Sequence, residues 1–134
     1  MLAYLWVAIG GALGSMARYG CNGLISAKFG ESFPWGTVLV NIAGSFLIGF
    51  LGAIAGAEGR LDSQTRAFTT QFFMVGVCGG FTTFSSFSLQ TLNLIRDGEF
   101  LYAAGNVLLS VALCLLGVWL GYLAGSLVNA TKGS

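Results

Sequence analysis

A chain of 134 residues has room for one domain and not for two. Apolar residues make up 55% of it and charged residues only 8%, with no histidine, which excludes an ordinary soluble protein and points to a membrane. A net charge of +1 without any basic block gives no support for nucleic acid or an acidic surface as partner.

The first uncharged run, Met1–Ala17, continues past Arg18 to Ala27. It lacks the positive n-region of a signal peptide and outruns its apolar core, so it reads as a retained first span. Phe33–Ala57 is uncharged and opens with Pro34, a residue suited to the first turn of a helix. Ala67–Ile95 and Phe100–Thr131 are uncharged as well. Each run meets the roughly 20 residues needed to cross a hydrocarbon core. Period-two alternation is absent, and backbone groups in lipid must bond internally, so helices are expected. The expectation is an all-α membrane protein, one unit over residues 1–134, with four transmembrane helices near 2–27, 34–57, 67–95 and 100–129.

The connections Lys28–Ser32, Glu58–Arg66 and Asp97–Glu99 are short, which puts function inside the bilayer. Four spans place both termini and the second loop on one face, with Arg60, Arg66 and Lys132, against Lys28 and Arg96 on the other. So slight an excess hardly selects an orientation by the positive-inside rule. Insertion in both orientations, with an antiparallel dimer as working unit, is therefore expected; a single orientation set by the small bias is the alternative. Glycines four apart (Gly10 and Gly14, Gly52 and Gly56, Gly76 and Gly80, then Gly117, Gly121 and Gly125) suit close helix packing within or between subunits.

Cys21, Cys78 and Cys114 lie in apolar runs at irregular spacing and read as packing residues, with no metal or disulfide pattern. Arg18 is the clear ionisable residue within a span; it either attracts an anion to a vestibule or snorkels at a helix end. Thr37, Asn41 and Ser45 follow one another at helical spacing, and so do Asn106, Ser110 and Cys114. Such tracks are interhelical glue or the wet wall of an anion pathway. In GVCGGFTTFSSFS, residues 76–88, the pair Gly79–Gly80 favours a break in the third helix at mid-membrane. Carbonyls freed there need water, protein donors or a cation. Phe84 and Phe87 follow on nearly one helical face; their rings either fill volume or offer positive edges to an anion.

GGALGSMARY, WGTVLVNIAGSFLIG and GVCGGFTTFSSFS resemble the Fluc (CrcB) family of fluoride channels from about Ile9 to the end of the fourth segment, closely in segments two and three and loosely in the fourth. The resemblance implies a dual-topology homodimer in the cell's inner (plasma) membrane, with two antiparallel pores that export fluoride passively and lower cytoplasmic fluoride. It implies no enzyme activity. It further implies a structural sodium ion at the dimer centre, held by backbone carbonyls matching Gly79 and Thr82. The pore phenylalanines would be Phe84 and Phe87, and the segment-two asparagine Asn41, with Thr37 one turn before. Ser110 and Asn106 would continue the polar track. Gln90 departs from the glutamate often found at this place in the family, which leaves permeation rate and block open. A small four-span multidrug exporter would require a carboxylate within the first segment, where only Arg18 is charged; a structural membrane subunit would require no polar tracks.

Overall fold

The computed structural model describes residues 1–133. All regular structure among them is helical. Helix α1 spans Leu2–Phe29 and stops at Gly30, whose φ of 79° lies where glycine alone is comfortable. Helix α2, Trp35–Ala55, starts after Pro34. Helix α3, Ser63–Phe68, is capped by Asp62, whose carboxylate accepts from the N–H groups of Gln64 and Thr65. The Thr65 hydroxyl donates to the same carboxylate at 2.6 Å, and these bonds hold the Asp62 carboxyl below the usual carboxylate range. The cap is therefore present above that range and is lost as the pH falls through the lowered value.

From α3 the chain passes directly into a π-helical stretch, Thr69–Cys78, and then into the short helix α4, Gly79–Phe81. Thr82 and Thr83 are extended, with ψ of 156° and 111°, and break the helix. Helix α5 resumes at Phe84 and runs to Arg96; α6 covers Phe100–Thr131. The expected break in the third segment is present, but it lies at Thr82–Thr83 rather than at the glycine pair. Gly79 and Gly80 stay helical. At Gly80 the missing side chain serves packing, since a Cβ there would come 2.5 Å from the Gly11 carbonyl oxygen. The β-branched threonines, which favour extended backbone, take the bend.

The expectation of four long helical units is met by α1, α2, the interrupted third unit and α6. By length and composition three of them can cross a membrane: Trp35–Ala55, Ser63–Arg96 and Phe100–Thr131. At 28 residues α1 has the length, yet Arg18, its tyrosines and its glycines dilute its apolar character. The third unit begins four residues before the expected start, because Asp62 caps the chain there and Arg66 becomes helical.

Two close approaches hold the units together. Gly10 and Gly14 of α1 face the carbonyls of Phe72 and Val77 on the π-helical stretch, and Gly76 in turn faces Gly10. The wide π turns reach α1 where α1 has no side chains. Gly117, Gly121 and Gly125 of α6 lie against the backbone of α2 at Ile42, Phe46 and Phe50, while Gly49 answers from α2 against Val118. Of the expected glycine pairs only Gly52 and Gly56 make no such approach; Gly52 meets the tip of Met74 and Gly56 its own helix. Apolar side chains such as Leu101 and Leu108 point outward, as a lipid-facing surface requires.

Candidate functional site

The break is held from α2. Asn41 Nδ2 donates to the Thr83 carbonyl at 3.1 Å, and the Thr83 N–H donates back to Asn41 Oδ1 at 2.7 Å. In a continuous helix this N–H would reach the carbonyl of Gly79. One turn on, the Ser86 N–H, which would reach Thr82, donates instead to Thr83 Oγ1 at 3.1 Å and so caps α5. The carbonyls of Gly79 and Thr82 thus both lose their helical donors, one to a side chain of α2 and one to a hydroxyl of the break itself. The Gly80 carbonyl keeps only a long contact from Ser15 Oγ at 3.5 Å.

Asn41, Gly79, Thr82 and Thr83 line a groove of about 390 Å³. Gly44, Asn41, Ser45 and Ile48 of α2 line one wall; Cys78, Gly79 and the Thr82–Phe84 turn line another, with Phe87; Ser110, Val111, Cys114 and Leu115 of α6 close it. Both polar tracks read from the sequence therefore arrive at one place, through Asn41 with Ser45 and through Ser110 with Cys114. The rings of Phe84 and Phe87 touch, with centroids 5.3 Å apart and planes tilted by 52°. Phe87 is buried at 8% exposure, whereas Phe84 is 77% exposed at the groove's open side.

Three of the residues singled out from sequence stand apart from the groove. Thr37 is buried one turn before Asn41 without lining it. Asn106 is fully buried behind Ser110: its Nδ2 donates to Thr91 Oγ1 at 2.9 Å, and its Oδ1 accepts from Ser110 Oγ at 3.3 Å. Arg18 is half-exposed on α1 and has no hydrogen-bond or ion-pair partner among the described residues. Two residues that sequence reasoning passed over prove central. Thr83 is the hinge of the break, and only its place after Thr82 hinted at that. Thr91 is joined to Asn106 across helices, and its i+4 spacing from Phe87 is the one signal that could have found it.

The groove's polar groups are carbonyls, hydroxyls, one carboxamide and the thiols of Cys78 and Cys114, with no carboxylate or cationic group among them. Neutral donors of this sort can replace part of an anion's hydration without trapping it by charge, and bare carbonyls can hold a hard cation.

A broken helix at membrane depth, stapled by a carboxamide and opening on a groove of neutral donors, defines an α-helical membrane protein built around a polar site within its bundle. The family model described as CrcB-like protein, Camphor Resistance (CrcB), matches residues 5–122. Proteins named fluoride-specific ion channel FluC from Methylocella silvestris, Opitutus terrae and Rhodospirillum rubrum are 56%, 54% and 55% identical to the chain. The alignments cover 98%, 100% and 96% of this chain and 98%, 100% and 98% of those relatives. The chain belongs to the CrcB family.

If Asn41 holds the break, replacing it by alanine frees the Thr83 amide. Hydrogen exchange followed by mass spectrometry should then show that amide exchanging at least about tenfold faster, with α6 amides unchanged. Unaltered protection at Thr83 would mean that the break stands without the staple.

Proposed function

We propose that the chain forms a passive, fluoride-selective channel of the cell's inner membrane and not an enzyme. The observation that carries the mechanism is the Asn41–Thr83 staple, which turns the Phe84 and Phe87 rings and the freed carbonyls toward one groove with Ser110. The identity of the ion comes from the relatives, which are named for fluoride over nearly their whole length. A multidrug-type exporter has no embedded carboxylate to work with in the groove, and a purely structural subunit would not account for two converging polar tracks.

Fluoride is strongly hydrated and crosses only where donors replace its water. The Asn41 amide nitrogen has two N–H groups; one is committed to Thr83, and the second is free for an anion. Ser110 supplies a hydroxyl from the opposite wall, and the ring edges of Phe84 and Phe87 supply weak positive charge where no donor stands. Asn106 acts from behind, seating Ser110, and Thr37 is buried one turn before Asn41. Arg18, a cation with no partner among the described residues, adds positive potential to the chain. Chloride is larger, binds the same donors less well, and is refused by a closely lined path.

The working unit in this proposal is an antiparallel homodimer inserted in both orientations. A structural sodium ion fits the break: the Gly79 and Thr82 carbonyls are the two whose helical donors are diverted, and neutral oxygens suit a hard monovalent cation. When bound, the ion would neutralise carbonyl dipoles that would otherwise repel one another. Gly79 and Thr82 would hold it and stay fixed while fluoride passes.

Fluoride-electrode recording of efflux from liposomes, with chloride as the comparison, tests the channel. Phe87→Ile and Phe84→Ile should abolish fluoride efflux while the protein still elutes as an assembled dimer; undiminished flux would take the rings out of the pathway. Asn41→Asp replaces a donor by a charge that repels the anion and should lower flux by at least about tenfold, the worth of one charge-assisted hydrogen bond. After removal of the native cysteines, single-cysteine variants in the loop of residues 58–61 should label with an impermeant thiol reagent from both sides of the membrane. Labelling from one side alone would overturn dual insertion. Exchanging sodium for N-methyl-D-glucamine should lower the unfolding temperature of the purified dimer, and a temperature that does not move would remove the ion from the structure.

A further inference from the structure

Thr91 lies one helical turn beyond Phe87 on α5, outside the groove. Its hydroxyl donates to the Phe87 carbonyl at 2.8 Å. A hydroxyl has one proton, so Thr91 Oγ1 can then only accept, and Asn106 must turn its nitrogen toward it. That fixes the carboxamide. Its oxygen faces Ser110, whose hydroxyl must donate inward to it. Asn106 is fully buried, so no water can satisfy the reversed arrangement.

From this chain of commitments we infer that Thr91 is a positioning residue that sets the hydrogen-bond polarity of the α6 track and thereby decides how Ser110 meets an anion. The inference rests on the channel reading given above. Ser110 has two uses for its proton: inward to Asn106 Oδ1, or outward into the groove it lines. The inward bond, at 3.3 Å, is the longest of the three links, so it yields easily to an arriving anion and reforms when the anion leaves. With the carboxamide reversed, its nitrogen would donate to Ser110 Oγ, and the hydroxyl proton would point permanently outward. An anion would then be held more tightly and released more slowly. A threonine bonded to the carbonyl four residues back is common in helices and often has no role beyond that. What separates Thr91 from that case is that its oxygen is the acceptor for a fully buried carboxamide on another helix.

The experiment compares wild type, Thr91→Val, Thr91→Ser, Ser110→Ala and the Thr91→Val/Ser110→Ala double variant in fluoride efflux across a series of fluoride concentrations. Thr91→Val should lower maximal flux about tenfold and lower the half-saturating fluoride concentration with it, and Thr91→Ser should restore both. In the Ser110→Ala background Thr91→Val should add less than about twofold, because the group through which Thr91 acts is gone. Flux losses that multiply in the double variant, or a half-saturating concentration that does not fall, would reduce Thr91 to a packing residue and overturn the inference. If Thr91→Val fails to assemble, Thr91→Ala is judged by the same two readouts. No fluoride flux in wild type would remove the channel reading itself, whereas wild-type flux retained in Thr91→Val removes this inference alone.

Discussion

Two hydrogen bonds between one side chain and the backbone of one residue make the rest of the structure possible. A helix interrupted inside a membrane exposes backbone donors and acceptors that lipid cannot satisfy, at roughly 1–3 kcal/mol for each group left bare. The Asn41 carboxamide presents to Thr83 the same donor–acceptor pair that a neighbouring peptide would. Three residues further along α2, Gly44 has no side chain, and a Cβ there would run into the Thr82 methyl. Residues three apart share a helix face, so a single face of α2 both bonds the break and makes room for it. The same staple decides which carbonyls are left over, because the amide it takes from Gly79 is one that the helix would have used.

Helix α6 divides one face between two tasks. Its first half carries Asn106, Ser110 and Cys114 toward α5 and the groove; its second half carries Gly117, Gly121 and Gly125 against the α2 backbone. The two series are continuous at helical spacing. Backbone contact in the glycine half fixes the distance between α2 and α6, and that distance sets how far Asn41 stands from Ser110 across the groove. The proposed channel, selecting by close lining, would need this spacing to be rigid, and close backbone packing at the glycines leaves little room for it to change.

Much of this was legible in the sequence. Charge positions delimited the helical units to within a few residues, and helical spacing put Asn41 and Ser110 on converging tracks. The location of the break was misread because glycine has two uses in a membrane helix, bending and close approach, and composition does not separate them. Gly80 turned out to serve approach, which became visible only with Gly11 beside it. Asn41 was legible as a polar residue on a helix face but not as a staple, since its partner is a backbone group 42 residues away. Thr91 was illegible for a related reason: within its own helix it looks like any threonine bonding one turn back, and its acceptor role belongs to a carboxamide on α6. Partners across helices are what a one-dimensional pattern loses.

A single copy leaves this site incomplete in a particular way. Phe84 projects at 77% exposure beside carbonyls whose own donors have been diverted, while its neighbour Phe87 is buried at 8%. Lipid can cover the ring but cannot serve the carbonyls, and water admitted for the carbonyls would wet the ring. In the proposed assembly a cation would answer the carbonyls, and another protein surface would answer the ring. A second copy meeting this one about a twofold axis at the break would supply both at once, because the same bare carbonyls would approach from the other side and share the ion. The proposed pairing has that physical motive: among the described residues the N–H groups that a continuous helix would aim at the Gly79 and Thr82 carbonyls are spent on Asn41 and on the Thr83 hydroxyl.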